Sequence, residues 1–543
     1  MSNQNIWRIK NTNPNYREKD WLLTTLTANR GLTSKKSVED YLNPSLDQII
    51  NTQISDLDKG LKRVVKAIKN KEKTVVYSDY DADGITATAI MWETLYDLGA
   101  DVMPYVPHRI KEGYGLSIEA IEGLAKSGVS LIITVDHGVT AVKQVEAANK
   151  LGVDVVITDH HVLPKETPKA CALVHTTDLC GAGVAWRFCW ELVKKYKPSY
   201  ENNLLEKLEL AAIATIADLV PLNGACRAIV KLGLDQLSRT KRPGIKSLIK
   251  NSGITGPVGT YEIGHILAPR INAMGRIEHG LESLRLICAK NQEQADKLAT
   301  LLAKTNTRRQ GLTTGAIEGA LSLVKGEHLI GVVAHSQWHE GVIGLVASRL
   351  VEKHHRPMIV ISIGDTFSKG SARSIPGFNI VEAIRASSKF LIDAGGHPMA
   401  AGFTIETKHI EAFTSKINVY AQTIITDEIL TPVINIECVL KTDDINAHNF
   451  KIIKMFEPYG MGNPQPVFLT RNMVIEDIRT VGPANQHLKL QLDGFSAIGF
   501  NKGEFGHSLR PGDSIDVVYT ISEDTYAGDG SLQLKIQDIQ ASG

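Results

Sequence analysis

Cysteine is scarce in this chain, with six in 543 residues and no C-x-x-C pair, which leaves neither a disulfide frame nor a cysteine zinc site. That usage points to a reducing compartment. No apolar run reaches about 18 residues, so no transmembrane helix and no membrane partner are expected. The opening residues, MSNQNIWRIKN, lack the apolar core of a signal peptide. A cytoplasmic protein is therefore expected. Net charge is almost absent as well: a formal value of +1 gives the whole chain no electrostatic signature of a polyanion partner. Repeats and low-complexity tracts are also missing.

The rest of the composition is that of a globular protein, 43% hydrophobic and 22% charged, and the length calls for three or four domains. Charge is uneven along the chain. Residues 231–310 hold 14 Lys and Arg against 6 Asp and Glu, either a surface facing a polyanion or a solvated helical face with its counter-charges elsewhere in the fold. Residues 451–543 hold 8 basic and 11 acidic residues, no signature of nucleic acid.

Hydrophobic patterning divides the chain into an N-terminal arm (1–48) with short helical pieces and four further regions. Over 49–225, apolar strands at 75–77, 131–135 and 155–157 alternate with amphipathic helices at 117–127 and 141–151, which predicts a parallel sheet wrapped by helices. Residues 226–325 read as a basic helical connector, with Leu281, Leu284, Ile287, Cys288, Leu298, Leu301 and Leu302 at helical spacing. A second α/β unit follows over 326–428, with strands at 329–334 and 358–363 and tight turns at Gly377, Gly395, Gly396 and Gly402. From 429 to 543, short alternating strands split by Gly, Pro and Asp predict a small β-barrel or sandwich. The fold class is multidomain α/β with a C-terminal β domain.

The chemistry gathers at strand ends. The strand at 75–77 runs into DYDADG, where Asp79, Asp81 and Asp83 alternate ahead of Gly84. The strand at 130–135 ends in Asp136-His137-Gly138, and that at 153–158 in Asp159-His160-His161. Asp218 follows another apolar run in IATIADLVPL. Parallel strands bring their C-terminal ends to one edge, where open α/β sheets place ligands. Each piece alone also reads as turn chemistry or a helix N-cap. Together, Asp and His are ligands for a hard or borderline divalent ion, and an oxygen-rich set favours Mg2+ or Mn2+. Two ions ~3.5–4 Å apart would clamp the attacking and leaving oxygens of a phosphoryl group.

DYDADG (79–84), DHG (136–138), DHH (159–161) and ADLVPL (217–222) resemble the four motifs of the DHH phosphoesterase superfamily. PHRIKEGYGL (107–116), GAGVAW (181–186), APRINAMGR (268–276), HEGVIGLVASRL (339–350) and KGSARSIPGFNI (369–380) resemble segments of its RecJ branch. GGHPMAAG (395–402) resembles the hallmark of the DHHA1 domain, and EPYGMGNPQPVF (457–468) resembles the OB-fold domain of RecJ-like members. The resemblance runs over roughly 50–540. It implies a single-stranded-DNA-specific exonuclease that hydrolyses phosphodiester bonds from 5′ to 3′, yielding mononucleotides, in DNA repair and recombination. It also implies two Mn2+ or Mg2+ ions per active site. Such an enzyme is expected to work as a monomer, with a helicase or a single-strand-binding protein as the partner that would deliver substrate.

By motif position, Asp81 and Asp83 are implied to serve different metals with Asp79 beside them, as a ligand or as a brace for the loop. Asp136 is implied to bridge, His160 and Asp218 to complete the second site, and His161 to orient it. His137 stands where the family more often has Cys or Asn, either as an outer hydrogen-bond partner or as a tolerated change. Arg109, Ser371 and Arg373 are implied to read a 5′ phosphate, with positive charge also from Arg270 and Arg276, and with Asn272 between them on the substrate side. His397 is implied to face the scissile phosphate. Tyr114 reads equally as a base-stacking residue or a core tyrosine. The competing readings are a DHH–DHHA1 phosphodiesterase of short oligoribonucleotides or cyclic dinucleotides, and a non-catalytic Cdc45-like scaffold. A small substrate needs neither the basic connector nor the β domain, and scaffolds tend to lose the ligand residues that are kept here.

Overall fold

A segment apolar at all but one position, such as Leu131–Val135 with its single Thr134, forms a strand buried on both faces, and neighbours of the same kind complete a parallel sheet. The computed structural model describes residues 5–16, 18, 20–113, 115–324, 326, 328–524 and 530–542. They divide into two units, one of residues 44–429 with 460–462, the other of residues up to 43 with 430–459 and 463–543.

In the first unit, five parallel strands lie in the order Val102–Tyr105, Thr74–Tyr77, Leu131–Val135, Asp154–Asp159, Ala172–His175. The order reverses between Thr74–Tyr77 and Leu131–Val135, the switch point at which open α/β sheets bind ligands. Side chains alternate across the sheet. Val76, Ile133 and Val156 join one core with the helices Ala82–Asp97, Gly181–Tyr196 and Leu208–Ala217. Val75, Ile132 and Val155 join another with the helices Ile118–Lys126 and Val142–Lys150.

The region read as a connector is helical, and its earlier helices share the first core through Leu237, Ile245, Ile271 and Leu284. Its last helix, the 32-residue Gln292–Leu323, spans onward: Leu302 sits in the first core, while Ala316 and Ala320 pack with Val333, Trp338 and Leu350 of the DHHA1 part. There a five-stranded sheet runs Leu391–His397, Ala400–Glu406, Phe367–Arg373, Met358–Ser362, Gly331–His335. Its last pair is parallel and the others antiparallel.

In the other unit, Phe468–Val481, His487–Leu492, Phe495–Gly499, Leu532–Ala541 and Ser514–Glu523 pair in that order, and the last strand pairs back with the first. This is a closed five-stranded barrel of OB type. The stretch read as an N-terminal arm contributes to it. Ile6–Ile9 pairs in parallel with Val433–Ile436, and Trp21, Leu22 and Leu26 enter the barrel core beside Phe468 and Tyr519. Apolar side chains on so short a stretch have no core of their own to enter. Among the described residues, no helix is long and apolar enough to cross a membrane.

Candidate metal centre

Three loops at the C-terminal edge of the parallel sheet, with one helix end, supply the candidate ligands. Asp81 is the N-cap of Ala82–Asp97, its Oδ1 accepting from the N–H groups of Asp83 (3.0 Å) and Gly84 (3.1 Å). The capping role expected of a lone Asp turn is thus real, and it leaves Oδ2 for the site. Asp83 is buried and accepts from Gly181 N (2.7 Å) and Ala182 N (2.6 Å), at the N-terminus of Gly181–Tyr196. Asp79 accepts from Tyr80 N at 2.6 Å. Two glycines permit the crowding: a Cβ on Gly84 would lie 2.6 Å from Asp79 Cβ, and one on Gly181 2.5 Å from Asp136 Cβ. Asp136 itself has φ +65°, left-handed backbone that Asp tolerates better than most residues. Asp218 arrives from the C-terminal end of the helix Leu208–Ala217.

His160 is the hub. Its Nε2 lies 3.2 Å from Asp136 Oδ1, 3.6 Å from Asp218 Oδ2 and 3.9 Å from Asp83 Oδ2. His160 Nε2 and Asp136 Oδ1 are both buried without a hydrogen-bond partner. Three groups of side chains converge closely enough to hold a cation: Asp79, Asp81 and Asp136; Asp83, His160 and Asp218; Asp136, His160 and His161. Burial, followed by the charge of Asp81, pushes Asp79 well above the usual carboxylate range and Asp83 up to about 7. Burial and then Asp83 do the same to Asp136, and push Asp218 up to about 8. Burial also holds His160 neutral, down to about 4. Carboxylates this crowded, pushed up by burial and by one another despite the nearby charge of His161, and set beside an orphaned imidazole nitrogen, fit divalent ions with oxygen-rich ligation.

Behind this cluster stands Asp159, to which the sequence attached no role. Its Oδ1 accepts from His160 N (2.7 Å), His161 N (3.1 Å) and His161 Nδ1 (2.8 Å), and its Oδ2 from Val139 N (3.0 Å). Burial works against a charged His161, but Asp159 outweighs it and lifts the ring to about 9. His161 in turn stacks on exposed His397, with centroids 6.0 Å apart and planes at 11°. His137 is buried away from the cluster, its Nε2 3.1 Å from the carbonyl of Tyr77, where burial lowers it to about 4.

A cavity of about 440 Å³ opens beside the cluster, lined by Tyr80, Arg109, Arg276, Lys369, Ser371 and Arg373 among others. Tyr80 lies between Asp79 and Asp81 in sequence, and the Arg109 guanidinium sits 4.9 Å over its ring. Arg373 Nη1 donates to Ser371 Oγ (3.3 Å) and Ala372 O (2.8 Å), and Arg276 Nη1 to Gly341 O (3.2 Å). Burial, then the charges of Arg109, Arg309 and Arg373, lower Arg276 to about 10. Among the described residues these arginines make no ion pair with a carboxylate, although Glu340 and Asp393 also line the cavity. Two further expected substrate residues are not among those lining this cavity: Arg270 Nη1 donates to Ile266 O (2.8 Å), and Asn272 Oδ1 accepts from Ala82 N (2.6 Å), bracing the Asp loop. Tyr114 lies outside the described residues.

A parallel sheet with carboxylates at its switch point, joined by a long helix to a second sheet that presents a histidine, defines a DHH–DHHA1 phosphoesterase. Residues 73–216 match the DHH family N-terminal domain, 326–423 the DHHA1 domain and 436–538 the RecJ OB domain. The chain is 37% identical over 541 residues to the single-stranded-DNA-specific exonuclease RecJ of Bacillus subtilis, covering 96% of this chain and 68% of that one. The crystal structure of Thermus thermophilus RecJ in complex with Mn2+ superposes with a TM-score of 0.87 at 30% identity, covering 100% of this chain and 80% of that one. Its Mg2+ complex gives 0.79 at 29% identity, covering 99% and 79%. The chain belongs to the RecJ family.

Proposed function

We propose that the protein is a metal-dependent, single-stranded-DNA-specific exonuclease that enters at a 5′ phosphate and releases mononucleotides. The observation that carries the 5′ polarity is the arginine cavity with no paired carboxylates beside the carboxylate cluster. One face is short of positive charge and the other has it in excess, as a terminal phosphate and a nearby scissile phosphate require. Asp79, Asp81 and Asp136 would hold one divalent ion, and Asp83, His160 and Asp218 the other, with Asp136 between them. Bound Mn2+ or Mg2+ would neutralise charge on the reacting phosphate and acidify the attacking water. The chain's own residues do the rest. The Gly181 and Ala182 N–H groups fix Asp83, Asp159 fixes the His161 ring, and Arg109, Arg373 and Ser371 grip the 5′ phosphate by charge-assisted hydrogen bonds. His397, stacked on His161, would donate to a phosphate oxygen.

Shortening of end-labelled DNA strands, with and without a 5′ phosphate and with Mn2+ or Mg2+, tests this reading. The wild type should shorten the phosphorylated strand faster. Arg373→Ala should erase that preference, with about a tenfold rise in KM, the order of a lost bidentate contact. Cleavage of dinucleotides or cyclic dinucleotides without shortening of long strands would favour the small-substrate phosphodiesterase instead. Strand binding with no hydrolysis in either metal would favour the scaffold.

A further inference from the structure

We infer that Leu219, with Val162 of the loop that carries His160 and His161, is a substrate contact that receives the unpaired nucleobase at the scissile phosphate. The inference rests on the reading of single-stranded DNA as substrate and adds a residue to it.

The helix Leu208–Ala217 ends in a Schellman-type closure: Leu219 N–H bonds to Ile216 O and Val220 N–H to Thr215 O, both at 3.3 Å. The residue after the cap in such a closure is left-handed and usually glycine. Here it is Leu219, at φ +58° and 63% exposed. A leucine at that position suffers twice, in backbone strain and in an apolar side chain left in water. At 63% exposure the side chain gains little packing in return.

Two other loops of the site share the pattern. Val162, directly after His161, is 68% exposed, and Met399, two residues after His397, is 46% exposed. The contact between His160 Nε2 and Asp218 Oδ2 (3.6 Å) joins the first two loops, and the His161–His397 stack joins the third. Three loops that carry candidate site residues therefore each follow them with an exposed apolar side chain. An ion or a phosphate has no use for such a rim. A nucleobase does: charges hold the phosphates of a strand, and what remains of each nucleotide is a base with apolar faces, the same for every sequence. Continuity with the metal centre makes the base next to the scissile phosphate the occupant.

Leu219→Gly tests this cleanly, since glycine is at ease at φ +58° and the lost side chain is mostly exposed. Steady-state shortening would be followed on 5′-phosphorylated strands of equal length, one thymidylate throughout and one abasic at its first nucleotides. The wild type should show the lower KM on the base-bearing strand. Leu219→Gly should raise that KM about fivefold, in keeping with one partly buried leucine, and leave the abasic strand and kcat unchanged. Val162→Ser should act in the same direction, more weakly. The melting temperature of Leu219→Gly should equal or exceed that of the wild type. Equal KM values for the two strands in the wild type, no selective change in Leu219→Gly, or a lowered melting temperature with equal losses on both strands would each overturn the inference. If the wild type shortens neither strand, the exonuclease reading itself has failed.

Discussion

One helix carries two buried acids with opposite fates. Asp83 lies in the first turn of Ala82–Asp97 and Glu93 ten residues later, about 15 Å along the axis. Burial and Asp81 push Asp83 up to about 7. Burial works the same way on Glu93, but Arg242 overrides it with bonds of 2.8 and 3.0 Å, Lys207 adds its charge at 3.3 Å, and Glu93 is held at about 2. The protein pairs the acid that holds helices together with Arg and Lys, and gives the acid at the sheet edge no such partner, only the more distant charge of His161. A buried carboxylate that the fold leaves without a Lys or Arg partner is suited to a cation from outside. The arginine cavity beside it is the same device with the sign reversed.

Removing an acid at each end should therefore have opposite consequences. Asp136→Ala should reduce kcat by about a thousandfold or more, since the centre would lose the carboxylate shared between its ligand groups. Its melting temperature without metal should hold or rise, because a repelling charge is gone. Glu93→Gln should leave kcat in place and destabilise the fold by about 3 kcal/mol, because Lys207 loses its buried partner and Arg242 is left with Glu209 alone, at 3.0 Å. Urea unfolding of both variants checks the contrast. If Asp136→Ala unfolds as readily as Glu93→Gln, the two ends do not differ as described.

The site edge was legible in the sequence because each of its acids but one closes an apolar strand, a relation contained in a few adjacent residues. Asp218 followed an apolar run whose element type was open, and the run is a helix. What escaped is what spans the chain. The bond from Ala82 N to Asn272 crosses 190 residues, and the Glu93–Arg242 pair crosses 149. The strand Ile6–Ile9 finds its partner at Val433–Ile436. Periodicity showed helices in 226–325 but not which core their apolar faces enter. Asp159 was visible as a letter of DHH, yet its grip on His161 depends on a ring orientation that no spacing encodes.

The smallest expected effect is also the one that most sharply separates the two ends of the helix. Above pH 6.5, folded Asp83 (about 7), Asp218 (about 8) and His161 (about 9) keep protons that the unfolded chain, at 3.8, 3.8 and 6.5, has released. The native state then binds more protons than the unfolded one, so stability falls as pH rises. His160 and His137, held at about 4, act in the opposite sense, but only between about pH 4 and 6.5. Glu93 acts lower still, losing its contribution as pH falls from 4.5 towards 2. In EDTA, the melting temperature should therefore decline between pH 6.5 and 8. Saturating Mn2+ or Mg2+ should restore it, most at the upper end, because ions bind the deprotonated cluster and only when it is folded. A flat profile in EDTA, or a metal effect no greater at pH 8 than at 6.5, would mean that the acids at the sheet edge are neutralised from within, as Glu93 is.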